Sequence, residues 1–347
     1  MKTAFASAGR TGVCVLALLL AAVLFLPCQM VLAEEEEEKS LYTARSYQSF
    51  YIREEKDMDS RRLVKVPKGK RIPLYSFDPA WAEVEYEGVR GYILRDYVDD
   101  VKPRDKAVTS PYGVLIYQYV AQISGDAEVR SERDGGEVLY TLHDGTLVAL
   151  IGFEEGWGKL ICKRQYAYIN SNCLDHVQMV DRNLDAPRTD VPIAAYVSFY
   201  GIQETESNIG RMKNIGVACD KMNVMRFPKG ANMDFNRDVG PYTRGNGYFP
   251  APILTDGKTA MGYGGGTCQV SSTLYNTLLQ LPGVQILRRR PHGAAGAAYL
   301  PHGMDAAVGN KSINFVFRND YDYPIRIDAH CSDGALYISV YRAEEGR

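Results

Sequence analysis

Two stretches of the chain repeat each other at an offset of 76 residues. Trp81-Ala-Glu-Val84 leads to Gly91-Tyr92-Ile93, and Trp157-Gly-Lys-Leu160 leads to Ala167-Tyr168-Ile169. In both, the tryptophan lies 11 residues before the tyrosine. Upstream, the nine residues from Val66 match the nine from Leu142 at the same offset, Gly69 opposite Gly145. Ile52-Arg53 matches Val129-Arg130 one residue out of step. A duplication commits both copies to one fold. Apolar residues alternate with polar ones, as in Trp81, Val84 and Tyr86, and Gly or Asp marks the turns, so each copy reads as several short strands. Trp81 and Trp157 are expected in the core of each copy.

With 347 residues there is room for two or three domains. A formal net charge of -2 gives no basic field for nucleic acid, and no nucleic-acid partner is expected. Residues 1–33 read as a signal peptide: Lys2 and Arg10, a charge-free apolar run from Gly12 to Pro27, and Val31-Leu32-Ala33 as a cleavage site. An uncleaved membrane anchor is the alternative. An acidic linker follows over 34–40. Either way the bulk of the chain is expected outside the membrane, secreted or in the cell envelope. Beyond the leader lie Cys162, Cys173, Cys219, Cys268 and Cys331. That count is odd, so at least one thiol stays unpaired; Cys162 and Cys173 are close enough in sequence to be bridged. No Cys/His spacing suits zinc, and no metal or cofactor is expected.

A linker over 179–191, charged and aperiodic around Pro187, precedes a domain over 192–343. Strands are expected at 194–200, 313–317, 324–329 and 336–341, and a helix near 204–223. The clearest helix runs over 268–280, from the apolar period Val270, Leu274, Leu278, Leu281, stopped by Pro282-Gly283. The fold class is α+β with strands dominant. Gly264-Gly265-Gly266-Thr267-Cys268 opens that helix. A helix N-terminus favours the thiolate, and glycines let backbone N–H groups reach a developing oxyanion. The plainer reading is a packed structural cysteine beside a flexible loop.

The copies over 41–101 and 107–178 resemble bacterial SH3-like barrels, which in envelope proteins bind wall peptides or act as spacers. The last domain resembles the VanW family. The residues that carry this are Phe227-Pro-Lys-Gly230, Asp234-Phe-Asn236, Val239-Gly240-Pro-Tyr-Thr243, the run Gly264 to Asn276, Arg290-Pro-His292, Tyr299-Leu-Pro-His-Gly303-Met-Asp305 and Phe317-Arg-Asn319. Asn314 departs from an aspartate common in the family. The resemblance implies a cell-wall role, with peptidoglycan stem peptides as partners. For some members it implies L,D-transpeptidase activity through the motif cysteine.

On that scheme Cys268 is the nucleophile, His292 the base and Asp305 its orienting carboxylate. His302 is the alternative base. Gly265, Gly266, Thr267, Ser271 and Ser272 are oxyanion-side candidates. Gln269 bonds substrate or positions the loop, and Arg290, with Arg288 and Arg289, is placed to grip a stem carboxylate. The competing readings are a cysteine peptidase or carboxypeptidase of stem peptides and a non-catalytic wall-binding protein.

Overall fold

A computed structural model describes residues 39–104, 115–255, 258–292, 297–301 and 303–344. The expected signal peptide, most of the acidic linker and His302 lie outside the described residues. Among the described residues no helix is long and apolar enough to cross a membrane.

The first copy contains β1 (Tyr42–Ser46), β2 (Phe50–Arg53), β3 (Arg62–Val66), β4 (Arg71–Phe77), β5 (Trp81–Tyr86), β6 (Val89–Leu94) and β7 (Val98–Pro103). They form one antiparallel sheet, order β3-β2-β6-β5-β4-β1-β7. The second contains β8 (Tyr119–Ile123), β9 (Ala127–Arg130), β10 (Val138–Leu142), β11 (Leu147–Leu150), β12 (Gly152–Glu154), β13 (Trp157–Cys162), β14 (Gln165–Asn170) and β15 (Leu174–Met179). Strands β13 and β14 repeat β5 and β6 at the offset of 76, whereas β8 and β9 repeat β1 and β2 at 77. The one-residue indel therefore falls in the loop after β2 or β9. The second copy differs in splitting the counterpart of β4 into β11 and β12 at Ile151. By their hydrogen bonds these are open sheets, so the SH3-like barrel itself is not established.

The two tryptophans correct the sequence reading. Neither is in a core; both are half-buried at the head of their strands. Side chains alternate faces along a strand, so residues three apart, such as Trp81 and Val84, point opposite ways. Ala82 and Val84, and Leu160 in the second copy, take the inward face.

The C-terminal part comprises β16 (Ala194–Phe199), α1 (Glu206–Met222), β17 (Met225–Phe227), β18 (Asn232–Asp234), the single turn α2 (Phe235–Asp238), the hairpin β19 (Pro250–Thr255) and β20 (Lys258–Tyr263), α3 (Thr267–Leu278), β21 (Val284–Arg288), β22 (Val316–Asn319), β23 (Ile325–Ser332) and β24 (Ala335–Arg342). Its main sheet is antiparallel, order β16-β24-β23-β17, and β18-β22-β21 form a second sheet. Thr205 caps α1 by accepting from the Asn208 N–H. The result is an α+β fold with strands dominant, as the patterning implied.

Both faces of β16 and β24 are buried, each for a different partner. Leu336, Ile338 and Val340 join the core under α1 and α3. Ala335 and Tyr337, with Val197 and Phe199 from β16, join the core of the second copy. The first copy keeps a core of its own, including Ile52, Leu74 and Val84. The expected linker is accordingly a fixed strap between packed bodies. Val180 and Val191 are buried, and the Asp181 N–H donates to Pro192 O at 2.8 Å. Arg182 donates to the carbonyls of Ile193 and Gln280.

Candidate active site

Helix α3 starts where the sequence places it and is buried along almost its whole length, not on one face alone. The polar positions survive burial because each finds a partner. Thr273 Oγ1 lies 2.7 Å from Ser198 Oγ. Along one stripe, at positions 268, 272 and 276, the helix binds an extended segment over 304–308. Asn276 Nδ2 donates to Met304 O (2.6 Å), Ser272 Oγ accepts from the Ala306 N–H (2.9 Å), and Cys268 Sγ donates to Val308 O (3.3 Å). Four residues of helix rise about 6 Å and two residues of extended chain about 6.6 Å, so the two periods keep step.

That pairing turns residues 304, 306 and 308 toward α3 and leaves 305 and 307 for the other side. There Ala307 N–H donates to Arg290 O. Asp305, only 2 % exposed, meets His292. Its Oδ2 accepts from the His292 N–H at 2.6 Å and lies 2.5 Å from His292 Nδ1. With Nδ1 committed to Asp305, the His292 ring lies close enough to Cys268 for the thiol to raise its pKa. Cys268, His292 and Asp305 thus stand in line, although 24 and 37 positions separate the cysteine from its two partners.

The electrostatics follow from these contacts. The hydrogen bond to Asp305 and then the Cys268 thiol push His292 up to about 10 against the opposing effect of burial. Burial tends to raise the Asp305 carboxyl, but the ring and backbone N–H of His292 and the charge of Arg289 outweigh it, so the net shift is downward. Arg289 donates to Asp305 O and Gly303 O, both at 2.7 Å, and lies over the Tyr275 ring. The sulfur has a second backbone contact, the Val308 N–H at 3.5 Å. It sits in the first turn of α3, where the helix dipole favours negative charge.

The three glycines serve packing more than substrate approach. A Cβ on Gly264 would lie 2.7 Å from Tyr242 Cβ, on Gly265 2.4 Å from Pro252 O, and on Gly266 2.8 Å from Arg211 Cγ. Gly264 and Gly266 also have positive φ, 84° and 108°. Thr267 N–H donates to Gly264 O and Gln269 N–H to Gly266 O. Between them the Cys268 N–H has no backbone acceptor among the described residues, which leaves it as the oxyanion donor the geometry offers.

The remaining expected site residues divide. Gln269 is buried and fully engaged: Nε2 donates to Ser198 Oγ and Phe199 O, and Oε1 accepts from Arg211. It positions the loop. Thr267 Oγ1 donates to Gly264 O, and Ser271 Oγ to Ala306 O and Cys268 O, so these hydroxyls are structural. Arg290 is exposed, and Arg289 reaches the Asp305 carboxylate. Asn236 and Asn319 bind backbone carbonyls. Asn314 donates to Asp234.

Sequence reasoning missed three contributors. Asn214, fully buried in α1, donates to Gly265 O and Phe249 O and accepts from the Phe249 N–H, fixing the glycine loop. Arg211 fixes Gln269. Tyr299 lies beside Ser272 and Cys268, and burial holds its hydroxyl protonated well above the usual range. The 268-272-276 spacing was the one readable signal for the stitched stripe. Cys162 and Cys173 are not bridged. Among the described residues no cluster suits a metal.

Residues 210–341 match the model of a family described as VanW like protein. The uncharacterized protein YoaR of Bacillus subtilis (strain 168) is 34% identical over 185 residues, 52% of this chain. The chain spans 60% of the length of that relative. Solved structures of NlpC1 and NlpC2 from Trichomonas vaginalis are 12% and 10% identical. Their alignments cover 89% and 88% of this chain and 95% and 98% of theirs. Their TM-scores of 0.18 and 0.16 are too low to carry an argument. The family match encloses Cys268, His292 and Asp305, and the domain that holds them belongs to the VanW family.

Proposed function

We propose that this protein is an exported cell-wall enzyme, a cysteine acyltransferase of peptidoglycan stem peptides that forms 3–3 cross-links. The observation that carries the reading is the alignment of Cys268, at a helix N-terminus, with His292 and the buried Asp305. A thiol, a base within hydrogen-bond reach and a group that orients the base are the parts nucleophilic acyl transfer needs. The packing of the second copy onto the sheet beneath α3 makes it part of the enzyme's body. The first copy, with its own core, is the part suited to reaching the wall.

The steps follow from the geometry. With the Cys268 proton resting on His292, which the contacts with Asp305 and Cys268 hold protonated, the sulfur attacks the carbonyl between the third residue of a tetrapeptide stem and its terminal D-Ala. The Cys268 N–H donates a hydrogen bond to the developing oxyanion. Collapse breaks the C–N bond, and the His292 proton leaves with D-Ala. A side-chain amine of a second stem attacks the thioester, gives its proton to His292 and forms the new amide as the sulfur departs. That proton returns to Cys268. Asp305 holds the ring in the tautomer that faces the sulfur throughout.

The test is incubation of residues 34–347 with disaccharide-tetrapeptide, read by mass spectrometry beside Cys268→Ala. Cross-linked dimer with loss of D-Ala, absent from the variant, is the expected result. Tripeptide without dimer would replace the acceptor amine by water and make the protein a carboxypeptidase. No turnover together with tight binding in both proteins would reduce it to a wall-binding module.

A further inference from the structure

Cys219 and Cys331 lie far apart in sequence and meet where α1 packs on β23. The two thiols lie close enough for each to perturb the other's ionisation, on elements that pack directly together. A methyl placed on Gly216, one turn before Cys219, would sit 4.0 Å from Cys331 Sγ. Both line one cavity of about 280 Å³, together with His330, Ser332 and Tyr337. Cys219 is buried, whereas Cys331 is half-buried and lies near the Tyr200 hydroxyl. The same helix carries Arg211 and Asn214, which hold Gln269 and Gly265 at the candidate active site. Whatever fixes α1 to the sheet fixes the loop in front of Cys268.

We propose that Cys219 and Cys331 form a disulfide in the mature, exported protein and so tie α1 to β23. Disulfides persist outside the cytosol, and thiols in contact on packed elements can be joined with little backbone movement. The two thiols differ in role. The nearby Cys219 thiol favours the ionised form of Cys331, while the nearby Cys331 thiol and burial disfavour ionisation of Cys219. The half-buried Cys331 thiolate attacks a small disulfide oxidant, forming a mixed disulfide and releasing one thiol of the oxidant. Cys219 then gives up its proton and attacks Cys331 Sγ, releasing the second thiol. Two protein thiols are oxidised and one oxidant disulfide is reduced.

The pairing rests on export but not on the chemistry of Cys268, so the two readings fail separately. The full chain, secreted into an oxidising compartment, is denatured without reductant, alkylated with iodoacetamide, digested and mapped by mass spectrometry. A linked Cys219–Cys331 peptide beside alkylated Cys268 is the expected result. Reductant should lower the Tm by about 5–10 °C, and Cys331→Ser should lose that dependence. Full alkylation of both cysteines, even after the folded protein has been equilibrated with oxidised glutathione, overturns the proposal. Should Cys331→Ser not fold, the map of the unmutated chain decides alone.

Discussion

The candidate site has two halves built in opposite ways. Cys268 stands on regular structure, the first turn of a buried helix whose approach is fixed by glycines with no room for a side chain. His292 and Asp305 stand on irregular chain and are fixed by hydrogen bonds: ring and backbone N–H of His292 to one carboxylate oxygen, and Arg289 to the carbonyls beside it. The first half owes its position to shape, the second to charge. Shape does not change with pH, whereas charge does. Substitutions should therefore damage the halves through different observables.

The largest effect is expected at the nucleophile. Cys268→Ala should lower turnover by about 10⁴-fold or more, since no other group at the site can form the acyl-enzyme. It should leave the Tm nearly unchanged, because the sulfur's partners are a backbone N–H and carbonyl and a ring held elsewhere. A large loss of stability in this variant would mean the thiol is packing and the division between the halves is false. Asp305→Asn should cost about 10²–10⁴-fold in kcat, the range seen when a base loses its orienting carboxylate. Here the pH profile should move as well, with His292 titrating closer to its ordinary value. A kcat loss with an unmoved profile would mean Asp305 only shapes the loop.

Stability should separate the halves next. His292 is raised from 6.5 to about 10, so the folded state holds its proton more tightly than the unfolded chain does. That contribution is complete below pH 6.5 and is lost as pH climbs toward 10. Asp305 is lowered, so its contribution is present above the ordinary carboxylate range and is lost in acid. Denaturant midpoints should be highest between these limits and decline on the alkaline side, by roughly 1–3 kcal/mol in unfolding free energy. His292→Gln should flatten that alkaline limb, and an unchanged slope would contradict the assignment. Gly265→Ala acts on the other half. A Cβ 2.4 Å from Pro252 O must move backbone, at a cost of about 1–3 kcal/mol that should not vary with pH. If Gly265→Ala is as stable as the parent, the loop yields and the glycines are there for the substrate after all.

The two halves also differed in how far the sequence exposed them. The helix, its glycine entry and its Pro282-Gly283 stop are local, and local periodicity is what a sequence displays. The duplicated strands were legible for the same reason, down to the indel between β2 and β3. Burial of both faces of β16 and β24 was not, because a partner on the second face is a property of tertiary packing. His292 and Asp305 sit in a stretch without period, and only the family resemblance singled them out. The tryptophans were misplaced by counting apolar residues without checking that the spacing was even. Ser271 was read as facing the oxyanion because a polar residue near a nucleophile invites it, but its hydroxyl is used inside the protein; of the two roles open to Gln269, its contacts are those of positioning the loop.

The smallest effect should come from the arginines, of which Arg289 is engaged inside the protein while Arg290 stays exposed. Arg289 and Arg290 follow directly on β21, and only Arg289 makes contact with Asp305 among the described residues. It spends its donors on the carbonyls of Gly303 and Asp305. Arg289→Ala should cost about 1–2 kcal/mol and reduce kcat through the loosened carboxylate. Arg290 is exposed, so Arg290→Ala should change stability by no more than about 0.5 kcal/mol. Its effect on catalysis then reports substrate alone. A rise in KM with kcat unchanged would assign Arg290 to the stem carboxylate, outside both halves of the site. Unchanged kinetics would leave substrate binding to groups closer to Cys268 and confine the charged half to His292, Asp305 and Arg289.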